Sequence, residues 1–82
     1  MKVRVLYFAA VRDLTGTGEE ELDLPADVRT VAAFGAFLER AHPPLAGRMK
    51  HVRIARNEAF AAAADPIAAG DTLALIPPVA GG

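Results

Sequence analysis

One stretch of the sequence restricts the fold more than any other. Thr30 is followed by Val31, Phe34, Leu38 and Ala41, with Phe37 beside them. This spacing gathers apolar side chains into one stripe of an α-helix. The Thr30 hydroxyl suits the N-cap, where it accepts a hydrogen bond from an unpaired first-turn amide. His42-Pro43-Pro44 ends the helix, because proline lacks an N–H and clashes with the preceding turn. Gly35 inside the stripe costs about 1 kcal/mol relative to Ala, a cost set against a close approach of the helix to its neighbour. A single amphipathic helix must bury its stripe against something, and the rest of the chain offers strands.

Residues 2–8 alternate, with Val3, Val5 and Tyr7 on one face and Lys2, Arg4, Leu6 and Phe8 on the other. Ala9 to Leu14 forms a short helical turn, and Thr15-Gly16-Thr17-Gly18 is a loop. Residues 19–24 read as a second strand, with Leu22 and Leu24 inward and the acidic residues outward, and Pro25 ends it. Beyond the helix, residues 52–56 read as a third strand with Val52 and Ile54 inward, followed by a turn at Arg56-Asn57-Glu58. Residues 59–64 are ambiguous, since alanine favours helix but six residues do not hold one unaided. Gly70-Asp71 is a turn, and residues 72–76 form the last strand, with Leu73 and Leu75 opposite Ala74 and Ile76. Two hairpin strands, a crossing helix and further strands predict an α+β, β-grasp (ubiquitin-like) fold: a mixed sheet with one main helix on one face. The predicted organisation is a domain over residues 1–76 and an extended tail over residues 77–82.

At 82 residues with no cysteine, that fold rests on packing alone, without disulfides, Cys-ligated zinc or a thiol nucleophile. Serine is also missing, which excludes a Ser-His-Asp triad. His42 and His51 share no metal-ligand spacing and are expected to be solvent-exposed. Gly16 and Gly18 lack the downstream Gly-Lys-Ser/Thr of a phosphate loop, so they mark a turn. Nine Lys+Arg against ten Asp+Glu give a net charge of −1, so no nucleic-acid partner is expected. The apolar stretches fall short of the roughly 18–20 residues that span a bilayer, so no membrane partner is expected. Met1-Lys2-Val3-Arg4 opens straight into a strand pattern, which predicts no signal peptide and a cytoplasmic location.

Charge is uneven along the chain. Asp13, Glu19, Glu20, Glu21, Asp23 and Asp27 make one half acidic, and Arg48, Lys50, Arg53 and Arg56 make a basic run. These read either as solvated faces or as a docking surface for a protein. If the helix covers the face holding Val3, Val5, Leu73 and Leu75, then Leu6, Phe8, Ala74 and Ile76 stand on the opposite face with nothing predicted to cover them. An apolar patch on a small domain points to a partner, the alternative being loops folded across it.

The tail carries the most specific signal. Pro77-Pro78 resists helix, Val79 and Ala80 are slim, and Gly81-Gly82 has no side chains to obstruct a narrow tunnel. Six extended residues reach about 20 Å. The useful group is the Gly82 carboxylate, inert until adenylation makes it an acyl donor. The alternative is a frayed end without a role.

Phe8-Ala9-Ala10-Val11-Arg12-Asp13-Leu14 with Gly16, Asn57 after the third strand, Pro66-Ile67 before Gly70-Asp71, and Leu75-Ile76-Pro77-Pro78-Val79-Ala80-Gly81-Gly82 resemble the MoaD family, the small sulfur-carrying subunit of molybdopterin synthase. Ile76 stands where the family is often aromatic. The resemblance covers nearly the whole chain. It implies that Gly82 is adenylated by a ubiquitin-activating-like adenylyltransferase using ATP and magnesium, then converted to a thiocarboxylate by a sulfur donor system. It implies that Pro77, Pro78, Val79, Ala80 and Gly81 insert into the large synthase subunit of a heterotetramer, where sulfur passes to cyclic pyranopterin monophosphate. The small subunit is then a reagent with no permanently bound cofactor, and the acid–base groups belong to the large subunit. The other carriers of this type are a thiamine-pathway sulfur carrier or a ubiquitin-like modifier. A ubiquitin-like interaction module without sulfur chemistry is the remaining alternative.

Overall fold

The computed structural model describes residues 1–78. In chain order it contains β1 (Lys2–Tyr7), α1 (Ala9–Thr15), β2 (Glu19–Asp23), α2 (Val31–Ala41), two 3₁₀ turns at Pro43–Leu45 and Met49–His51, β3 (Arg53–Arg56), β4 (Ala59–Phe60) and β5 (Thr72–Ile76). Among the described residues the strands form one five-stranded sheet in the order β2-β1-β5-β3-β4. β1 is antiparallel to β2 and parallel to β5, and β3 is antiparallel to both β5 and β4. This is the expected mixed β-grasp sheet.

The period-two pattern decides what the sheet buries. Val3, Val5 and Tyr7 of β1 and Leu73 and Leu75 of β5 point inward, where they meet Val31, Phe34 and Leu38 of α2. Ala41, the last position of the predicted stripe, is exposed, and Phe37 packs at the edge of the core. The Thr30 hydroxyl caps α2 by accepting from the Ala33 amide at 3.2 Å. A Cβ built at Gly35 lies 3.8 Å from Met49 Cε and 4.0 Å from Ile54 Cδ1, which is ordinary contact. The helix therefore does not need a glycine to approach the sheet, contrary to the sequence expectation.

Several boundaries shift from those the sequence predicts. β1 ends at Tyr7, because Phe8 keeps an extended backbone but serves as N-cap of α1. The predicted single turn after it is a two-turn helix that buries Val11 and closes on Gly16, at φ +78°. β3 begins at Arg53 because the Val52 amide is held by the Met49 carbonyl at the end of a 3₁₀ turn. Residues 59–64 split into the short edge strand β4 and a loop, with the Ala61 amide on the Ile54 carbonyl and the Ala32 amide on the Ala63 carbonyl.

Candidate functional site: an apolar groove at the base of the tail

The sheet face opposite α2 divides into two halves. Its β1–β2 half is charged: Arg4 pairs with Glu19 at 3.3 Å and Lys2 with Glu21 at 3.9 Å. Its other half is apolar. Leu6, Phe8, Ala74 and Ile76, the patch expected from the sequence, line one groove together with Ala55, Asn57, Glu58, Phe60 and Thr72. Phe8 and Phe60 are 46% and 55% exposed. Ala55 is buried on this face and stands apart from the core cluster. It forms the floor with Ala74, its cross-strand partner.

The sequence did not single out Phe60 or Ala55. Parity would have found both: Asn57 and Glu58, at φ +50° and +73°, close a two-residue hairpin that sets Phe60 opposite Ala55. Arg53 pairs with Ile76 in the β3–β5 register, and its guanidinium lies 3.7 Å from the centroid of the Phe60 ring. Arg56, from the same basic run, points instead to Asp71. The run is thus divided between two environments.

Asp71 holds the two loops beside the groove together. Its carboxylate accepts from Arg56 Nε at 2.6 Å, Asn57 Nδ2 at 3.0 Å and the Ala68 amide at 2.8 Å. Asn57 also exchanges hydrogen bonds with the Thr72 backbone, at 2.8 and 2.9 Å. Burial pushes the Asp71 carboxyl up, but the bonds from Arg56, Asn57 and Ala68 outweigh it and hold the group below the usual aspartate range.

On the inner face, Glu20 and His42 depart from expectation. Glu20 shares the inward parity of Leu22 and Leu24, so it turns in rather than out. Its Oε1 accepts from the Tyr7 hydroxyl at 2.5 Å and lies 2.6 Å from His42 Nε2. His42 is therefore half-buried and paired, not solvent-exposed. Burial raises the Glu20 carboxyl, and the bonds to Tyr7 and His42 lower it by more, leaving it below its ordinary value. Burial, with the bond to Glu20 and its charge, pushes the Tyr7 hydroxyl far up, so it remains a donor. This cluster ties the β1–β2 hairpin to the end of α2. Among the described residues no group of three or more His, Cys, Asp or Glu is placed to hold a metal ion. No helix there is long and apolar enough to cross a membrane.

Pro77 is half-buried and Pro78 exposed, and the chain leaves the sheet from Ile76, in the wall of the groove. Val79, Ala80, Gly81 and Gly82 lie outside the described residues.

The profile of the ThiS family matches residues 5–82. The chain is 34% identical to the molybdopterin synthase sulfur carrier subunit of Chlamydomonas reinhardtii, over 100% of both chains. It is 36% identical to small archaeal modifier protein 1 of Haloferax volcanii, over 92% of this chain and 94% of that one. A crystal structure of that modifier superposes with a TM-score of 0.86 over 100% of both chains. At 23% identity and a TM-score of 0.70, the chain shares its fold with one chain of a protein-protein complex of subunits 1 and 2 of the molybdopterin-converting factor from Helicobacter pylori, over 100% of both chains. The chain belongs to the ThiS family, and within it is a homologue of the molybdopterin synthase sulfur carrier subunits.

Proposed function

We propose that this chain is the sulfur-carrying small subunit of a cytoplasmic molybdopterin synthase, and that its Gly82 carboxylate is the working group. The observation that carries the proposal is the position of Ile76: the last strand ends in the wall of an exposed apolar groove, and the slim tail starts there. A partner seated on the groove receives the tail at a fixed place. Attack of the Gly82 carboxylate on ATP, with magnesium, gives an acyl adenylate and pyrophosphate on the adenylyltransferase. A hydrosulfide equivalent from a sulfur donor then displaces AMP and leaves a thiocarboxylate. Within the large subunit that sulfur passes to cyclic pyranopterin monophosphate, and the small subunit returns to the carboxylate.

Support comes from the family and from relatives named as sulfur carrier subunits. The side-chain inventory agrees, since a chain without Cys or Ser serves as a reagent for a partner's catalytic groups. The test is intact mass after co-expression with the activating enzyme and a sulfur donor. The expected result is a sulfur-for-oxygen increase at Gly82. A plain carboxylate in every preparation would overturn the proposal.

The likeness to small archaeal modifier protein 1 favours a second reading, in which the activated Gly82 is joined to lysine amines of other proteins. Peptide mapping separates the two, because a modifier leaves the tail linked to lysines and a sulfur carrier does not.

A further inference from the structure

The groove is walled by rings and floored by methyl groups. Phe60 projects beside a hollow of roughly 550 Å³ whose floor is Ala55 and Ala74. One copy of the chain therefore carries both a protruding ring and a recess that admits one. The charges on this half of the face are matched in the same way. Arg53, over the Phe60 ring, stands beside Ile76, while Glu58 lines the groove at the β3–β4 turn. Neither is in an ion pair among the described residues. A two-fold axis over the Ala55–Phe60 row would bring each Arg53 towards the Glu58 of the other copy. It would also set each ring against the other copy's alanine floor. Isologous contacts require this self-complementarity.

We propose that the free chain forms a weak two-fold dimer through this groove, with Phe60 against Ala55 and Ala74 and with Arg53 paired to Glu58 across the axis. Nine residues line the groove, whereas stable interfaces use about 20–30 residues a side, so the dimer exchanges readily. It covers the apolar face when no other partner is present. A second copy and a docked large subunit exclude one another. Dimerisation does not depend on sulfur chemistry at Gly82.

Sedimentation equilibrium on the full chain from about 10 µM to 1 mM tests this. The weight-average mass should rise with concentration. Arg53→Glu or Glu58→Arg alone should weaken association by roughly tenfold, because each sets like charges together twice. An equimolar mixture of the two variants should restore it, since the mixed dimer has one native Arg53–Glu58 pair and one pair with its signs exchanged. Lys2→Glu, on the charged half of the face, should change nothing. A wild-type chain that stays monomeric at the top concentration overturns the proposal, and so does a mixture that fails to recover. Should either variant not fold, concentration-dependent NMR shifts of the wild type decide: changes at Phe8 and Phe60 but not at Lys2 support the dimer, and any other pattern refutes it. A monomeric chain that still binds the large subunit would remove the dimer and leave the docking proposal standing.

Discussion

Asp71 is only 7% exposed, and as an ionised carboxylate that deep it must be paired. Three donors meet it, and removing it strands the Arg56 guanidinium and the Ala68 amide together. Asp71→Ala should cost about 2–4 kcal/mol at neutral pH, read from the urea midpoint. The same site predicts the acid limb of stability. Both Asp71 and Glu20 have folded-state values below their unfolded ones. Their contribution is therefore complete above the unfolded values and is lost as pH falls through the folded values. Stability should fall steeply below about pH 4, with a shallower slope in Asp71→Asn, because that carboxyl no longer takes up a proton on unfolding. An equal slope in both proteins would show that other groups control the acid transition.

At the scale of elements, α2 offers a stabilising and a destabilising change a few residues apart. Thr30→Ala removes the oxygen that holds the Ala33 amide and should cost about 1 kcal/mol. Gly35→Ala adds a methyl where ordinary contact distance is available, and it lowers the backbone entropy of the unfolded chain. It should raise stability by roughly 0.5–1 kcal/mol. Denaturant curves of both variants check the pair. Loss of stability in Gly35→Ala would mean that Met49 cannot accommodate the methyl. The element after β1 works differently. Ala9 has φ +48°, an uncommon conformation for a residue with a Cβ, at the point where the extended chain at Phe8 turns into α1. The cost of that turn falls beside the ring that walls the groove.

For the whole molecule, docking and folding should separate. Ile76 is half-buried on the outer face and makes no part of the inner core. In Ile76→Asp the new carboxylate faces solvent and Arg53 in the free chain, so the fold should survive. On docking it would be buried in an apolar interface, and affinity for the large subunit should drop by at least about tenfold. Circular dichroism and a binding isotherm read the two halves. The tail should show the opposite division from Asp71. Deleting Gly82 shortens the reach by about 3.5 Å, and Gly81→Val adds branched bulk where a tunnel wall is expected. Both should leave unfolding within about 0.5 kcal/mol of the wild type while abolishing transfer from a chemically prepared thiocarboxylate. Normal transfer by the Gly82 deletion would refute a mechanism based on tail reach.

The sequence by itself determined the types of β1, β2, α2, β3 and β5 while leaving residues 59–64 open, and it determined the α+β class, the inward set of Val3, Val5, Tyr7, Leu73 and Leu75, the N-cap at Thr30 and the patch of Leu6, Phe8, Ala74 and Ile76. These follow from period, capping and turn chemistry, which act over a few neighbouring residues. Parity along the strands already turns Glu20 inward and sets Phe60 on the face of Ala55; only the tertiary structure decided that Glu20 meets Tyr7 and His42, that Asp71 reaches Arg56 and Asn57, and that Arg53 lies over the Phe60 ring. Glu20 and His42 are 22 positions apart, and Asp71 and Arg56 are 15. No local period encodes such contacts. They depend on strand order and register, and a one-residue slip of its strand would have sent Glu20 or Phe60 to the other face of the sheet.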